Sequence, residues 1–159
     1  MTAYLQDKAI DVVLSSPFKR SYDTVAGFAK TAGLTIETND DFRERAVGHE
    51  WLTADEFNAY AASQWADFSH KLPGGECLSE VQTRNLAALK DALTRYSGKN
   101  IVIGTHGTAL STIVLHYDSS YSFAEWLVMP MPWVVKMTFE GDTCTSIEKT
   151  DLLAQHKEA

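Results

Sequence analysis

Ile101–Val102–Ile103–Gly104–Thr105–His106–Gly107–Thr108 is the stretch whose reading decides the fold. An apolar run bounded by Gly98 and Gly104 reads as a parallel strand buried on both faces, and Thr108–Leu115 behind it has helical spacing. His106 therefore falls in a strand-to-helix turn. In an open α/β sheet, ligands bind in the crevice beyond the carboxyl ends of the strands. An imidazole there can serve as acid, base, nucleophile or anion partner. Taken alone, a turn histidine is explained equally well by a backbone hydrogen bond, so the rest of the chain has to decide.

Working outward, the elements alternate in type. Asp11–Ser15 reads as a short β-branched strand. Ser16 and Pro17 look like the N-cap and first position of a helix running to about Ala32, with Gly33 placed to end it. Leu34–Thr38 alternates as a second strand, and 39–51 is polar and irregular. Thr53–Ala54–Asp55–Glu56 is a capping box opening a helix that reaches roughly His70. After the Pro73–Gly74–Gly75 break, Leu78–Tyr96 is amphipathic and leads into the His106 strand. A short helix near Ser122–Val128 precedes Val134–Glu140 and Cys144–Lys149, which flank Gly141–Asp142 as a hairpin. The pattern predicts one α/β domain over residues 1–159. It is a three-layer sandwich with a mainly parallel sheet, helices on both faces and the antiparallel hairpin at the far end. Only the last few residues read as loose.

Composition narrows the function classes. The 159 residues are 45% hydrophobic, enough for a substantial core. A formal charge of −7 with no cluster of Lys and Arg argues against nucleic acid as a partner. Cys77 and Cys144 stand far apart without metal-ligand spacing, so the reading is two free thiols, no metal and a cytoplasmic setting. The N-terminus lacks the pattern of a signal peptide, and the apolar tract from Trp126 to Val135 is broken by Pro130 and Pro132, so no membrane association is expected.

Two strands end in polar turns, Leu14–Ser15–Ser16–Pro17–Phe18–Lys19–Arg20 and the His106 turn. If they are neighbours, Arg20, His106 and the N–H groups of two helix N-termini converge, a combination suited to phosphate or another oxyanion. Glu44, in the loop Phe42–Arg43–Glu44–Arg45, is a candidate proton donor to a leaving group. Taken singly, Arg20 is most simply a solvated helix residue and Glu44 a surface ion-pair partner.

Order and spacing add to this. Ser15-Ser16-Pro17-Phe18-x-Arg20, Phe42-Arg43-Glu44-x-x-x-Gly48-x-x-Trp51, Pro73-Gly74-Gly75-Glu76-Cys77 and Thr105-His106-Gly107-Thr108 together resemble the histidine phosphatase superfamily, the phosphoglycerate mutase-like family. The resemblance runs from about Asp11 to Lys149. It implies that Arg20 binds the phosphoryl group with Gly107 and Thr108 beside it, that His106 clamps it, and that Glu44 protonates the leaving oxygen. It also implies no cofactor and a small phosphorylated molecule or inorganic phosphate as ligand. Where such sequences usually carry Ser after Pro-Gly-Gly-Glu, this chain has Cys77, which puts a hydrogen bond at that helix start in question.

The family's nucleophile lies in an Arg-His-Gly motif ending its first strand, and none of the five histidines here follows an arginine. The resemblance thus implies that the first strand and its nucleophile are missing, which leaves three readings. The chain is a truncated phosphatase, a pseudo-phosphatase that keeps an anion site as a sensor or interaction module, or an interaction surface with a vestigial site. Using His106 as nucleophile instead would leave it without the opposing imidazole. The short segment between Glu44 and Pro73 favours phosphatase over mutase parentage. The absent strand would lie between the His106 strand and the one beginning near Val134. Two outcomes are expected: those strands close up directly, or a second copy covers the gap in a homodimer, the preferred outcome.

Overall fold

The computed structural model describes residues 1–49 and 51–155. Its centre is a parallel sheet of three short strands. β1 (Val12–Ser15) lies between β2 (Ile36–Thr38) and β3 (Ile101–Gly104). Val13 pairs with Ile36 on one side and Val102 on the other. Parallel neighbours need crossovers, and here they are helical: α2 (Lys19–Ala32) joins β1 to β2, while α3 (Ala54–Ala66) and α4 (Leu78–Arg95) lie between β2 and β3. A one-turn α1 (Thr2–Leu5) precedes the sheet, and α5 (Gly107–Tyr117) and α6 (Phe123–Leu127) follow it. The chain then forms the hairpin β4 (Trp133–Glu140) and β5 (Thr143–Asp151) and a final turn of helix, α7 (Leu152–Gln155).

The alternation of side chains along β1 and β3 divides the core in two. Val13 and Val102 face α1 and α2, where Leu5, Val25, Phe28 and Ala29 are buried. Leu14, Ile101 and Ile103 face the opposite layer with Phe42, Ala88 and Ala92. Helices therefore cover both faces of the sheet, as the apolar runs predict. Local punctuation also behaves as expected. Gly33 takes a left-handed φ of 68° at the end of α2, and Thr53 and Glu56 form a reciprocal capping box at the start of α3.

Several boundaries move, for local reasons. α2 starts at Lys19 rather than Pro17, because Ser16 Oγ accepts the Phe18 N–H at 3.2 Å and makes one more turn before the helix. α3 ends at Ala66, short of His70, where Asp67 turns the chain by accepting the Ser69 N–H at 2.9 Å. At the Cys77 helix start, the Cys77 N–H donates to Glu80 Oε2 at 2.9 Å and the thiol lies 3.0 Å from Ser79 Oγ. The larger difference is at the sheet edge. Among the described residues β4 and β5 pair only with each other, so the hairpin does not extend the parallel sheet, and of the two expected outcomes the direct closure of β4 on β3 does not form. Ile101, Val102 and Ile103, read as fully buried, are only partly so, because among the described residues no strand pairs with the outer edge of β3. Cys77 and Cys144 are free. Among the described residues no helix is long and apolar enough to cross a membrane, and no group of three metal-ligating side chains occurs. The tail read as loose, 156–159, lies outside the described residues.

Candidate functional site

Register builds the site. Ser15 pairs with Gly104, so β1 and β3 end level and the Ser16 N–H donates to the Gly104 carbonyl at 2.8 Å. Such an approach requires a residue without a side chain. A β-carbon on Gly104 would lie 2.9 Å from both Ser15 Oγ and the Ser21 carbonyl oxygen. The two turns that follow are thereby brought together. His106 Nε2 lies 2.8 Å from Ser16 Oγ, and its ring meets the edge of Phe18 at 5.3 Å. The Arg20 guanidinium sits 5.2 Å from the same Phe18 ring. Phe18 and His106 are the N-caps of α2 and α5, so two positive helix ends face one crevice.

Glu44 reaches the same point from a distant loop. Its carboxylate accepts the N–H groups of Thr108 at 3.0 Å and Ala109 at 3.1 Å, the first turn of α5, and that of Arg45 at 2.9 Å. The loop is held by a clamp. Arg84, on α4, donates to the carbonyls of Asp41 at 2.7 Å and Arg43 at 2.9 Å while pairing with Glu76 at 2.9 Å. Glu76 also pairs with Arg43 at 2.7 Å and accepts the Ala46 N–H at 3.0 Å. Burial works to raise the Glu76 carboxyl, but Arg84, the Ala46 N–H and Arg43 together hold it below the usual range. Gly75 is needed here as well, since its β-carbon would meet the Val47 carbonyl oxygen at 2.6 Å.

The crevice is electropositive in a chain of net charge −7. Burial, and then the nearby charges of Arg20 and Arg84, push His106 down to about 4, so it is neutral at pH 7 and hydrogen-bonded to Ser16. Next to Glu44, Arg45 is buried over the rings of Phe57, Tyr60 and Trp126 and bonded to Gln64, and desolvation lowers its pKa.

The structure thus assembles Arg20, Glu44, His106, Gly107 and Thr108 around one crevice. One detail differs from expectation. The Thr108 N–H, read as an anion donor, is engaged by Glu44, and Thr108 itself is buried. Sequence reasoning missed Ser16 as the partner of His106 and missed the Arg84–Glu76 clamp. Glu76 lay within a quoted block, but Arg84 is an unremarkable residue of an amphipathic helix.

A family model described as the histidine phosphatase superfamily (branch 1) matches residues 1–151. Among curated proteins, the chain is 28% identical to phosphoglycerate mutase-like protein 4 of Arabidopsis thaliana over 88% of its own length and 64% of the relative's. It is 32% identical to an acid phosphatase of Mycobacterium tuberculosis over 76% of its length and 53% of that protein's. Of these two relatives the chain therefore spans less than two thirds. Among solved structures, Bacillus stearothermophilus YhfR superposes with a TM-score of 0.73 at 21% identity, covering 90% of this chain and 75% of that one. Phosphoglycerate mutase from Bacillus anthracis gives 0.72 at 16% identity, covering 98% and 79%.

Proposed function

This chain belongs to the histidine phosphatase superfamily (branch 1), and on that premise we propose that its crevice holds the phosphoryl group of a small phosphomonoester, with phosphatase rather than mutase parentage. The observation that carries the reading is the meeting of Arg20, His106 and Glu44 at the N-termini of α2 and α5. Arg20 is exposed and supplies a guanidinium for a charge-assisted, bidentate grip on the phosphoryl oxygens. Gly107 lies beside His106 at the start of α5, with Thr108 behind it. An incoming dianion offsets the field of Arg20, so the neutral His106 takes up a proton and clamps the phosphoryl group. In the family's transfer through a phosphohistidine, the bond from phosphorus to the ester oxygen breaks as a nitrogen–phosphorus bond forms to a nucleophilic histidine, a residue of that pattern these 159 residues do not supply. The leaving oxygen then takes a proton, and Glu44 is the carboxyl group beside the crevice that would give it once released from the backbone N–H groups it accepts here.

No histidine in these 159 residues follows an arginine, so the chain alone has no nucleophile of the family's pattern. Our reading is that this chain binds phosphate without turning esters over. A non-enzymatic sensor is the second reading, favoured by Glu44 occupying the start of α5, where a bound anion could compete with it. The open edge of β3 supports pairing with a second copy, and the two free thiols support a cytoplasmic setting.

Calorimetric titration with phosphate and vanadate, beside an assay with an aryl phosphate, tests the proposal. Binding should be weak and salt-sensitive, most reduced in Arg20→Ala, with turnover at background. Absence of anion binding overturns it. Turnover of about one per second or more that is lost in His106→Ala also overturns it and makes His106 the nucleophile.

A further inference from the structure

Two of the chain's four methionines lie on the candidate phosphate site. A β-carbon on Gly107 would stand 3.0 Å from the Met131 methyl and 3.1 Å from the Met129 methyl, so both thioether ends rest on the first residue of α5. They belong to a segment that stays apolar where it meets solvent, with Val128 77% and Met131 60% exposed. Beside His106, Phe18 is 40% exposed while its ring meets both His106 and Arg20. Exposed apolar side chains are ordinary singly, and Trp51 and Leu153 are others here, but Met129, Met131 and Phe18 are placed against Gly107, His106 and Arg20.

We infer that Met129, Met131 and Phe18 form the leaving-group wall of the site and select phosphomonoesters of apolar or aromatic alcohols. The inference rests on the phosphate reading above and adds the substrate class. The charge pattern supports it. An anionic head on Arg20 and His106 with an apolar body against the methionines matches an amphipathic ester, whereas a sugar phosphate would place its hydroxyls against groups that cannot hydrogen-bond them. Methionine suits such a wall because its flexible thioether adapts to rings and chains of different shape.

Titration of the chain with inorganic phosphate, methylphosphonate and phenylphosphonate tests the inference. Phenylphosphonate should bind about tenfold more tightly than methylphosphonate. That ratio should fall to near one in the double variant Met129→Ser/Met131→Ser and persist in Met129→Leu/Met131→Leu. Equal affinity for the two phosphonates, in a chain that binds phosphate, overturns the apolar wall. Failure to bind any of the three overturns the phosphate reading instead. A dimer that becomes monomeric in the serine variant, with no phenyl preference in the unsubstituted chain, assigns the patch to a second copy and likewise overturns the wall. Should the serine variant unfold on thermal melting, the comparison of phosphonates on the unsubstituted chain still decides.

Discussion

The two sides of β3 differ in how completely they are built. On the side of β1, register, Gly104 and the Ser16–His106 contact close the strand ends into a crevice, and Arg84 and Glu76 fix the loop that brings Glu44 to it. On the other side β3 presents an edge with no paired strand among the described residues, and the hairpin stands as a separate sheet. The fixed side-chain contacts are therefore concentrated around the candidate site. A site can be preorganised by one completed interface even when the neighbouring one is open.

The largest effect should come from breaking the clamp. Arg84→Met leaves Glu76 with Arg43 and the Ala46 N–H and frees the carbonyls of Asp41 and Arg43, in a place where both side chains of the Arg84–Glu76 pair are mostly buried. Losing one partner of such a pair should cost about 3 kcal/mol, read from denaturant unfolding. Phosphate binding should weaken too, because Glu44 loses its placement. A cost near zero would mean that the loop is held by its own packing and that the contrast between the two sides is weaker than drawn.

A smaller effect should appear with pH. His106 stands at about 4 against an ordinary 6.5, chiefly through burial. Between those values the unfolded chain binds a proton that the folded chain refuses, so stability falls as pH drops from about 6.5 to 4 and is fully present above that window. The loss is on the order of 2 kcal/mol once solvent screening is allowed for. It should be absent from His106→Asn and so appear in full in the difference between the unsubstituted chain and that variant, each followed by urea unfolding. A flat difference across the window would place His106 in water. Saturating phosphate should shrink the loss, since a bound anion raises the histidine.

What was legible in the sequence follows the same division. The strands, the Gly33 stop, the Thr53 capping box and the Gly141–Asp142 hairpin are signalled within a few residues, and local chemistry suffices to form them. Arg20, Glu44 and His106 were legible through the order of their motifs. The clamp was not, because Arg84 meets the Arg43 carbonyl 41 residues away and nothing near either residue marks the pairing. The methionines over Gly107 were hidden for the same reason. Their segment was read for its prolines as a break in an apolar tract, and only the tertiary fold lays it on the α5 start. The free edge of β3 was anticipated as a difficulty, and a second copy was preferred to direct closure because closure would require the helices on both faces to repack; among the described residues that closure does not form.

Within β3 itself the contrast can be read residue by residue. The Asn100 carbonyl accepts from Asp11 at 2.8 Å and from Val12 at 3.2 Å, and the Gly104 carbonyl accepts from Ser16 at 2.8 Å, so these residues direct their backbone groups toward β1. Backbone groups alternate along a strand, which turns Val102 toward β1 as well and leaves Ile101 and Ile103 facing the outer edge. Native-state amide exchange in dilute solution should therefore show Ile103 exchanging roughly tenfold or more faster than Val102, although the two are chain neighbours in one strand. Equal protection would mean that the edge is already covered. If the Ile103 amide gains protection as protein concentration rises while Val102 does not change, the cover is a second copy pairing at β3, and the open side of the sheet is its dimer interface.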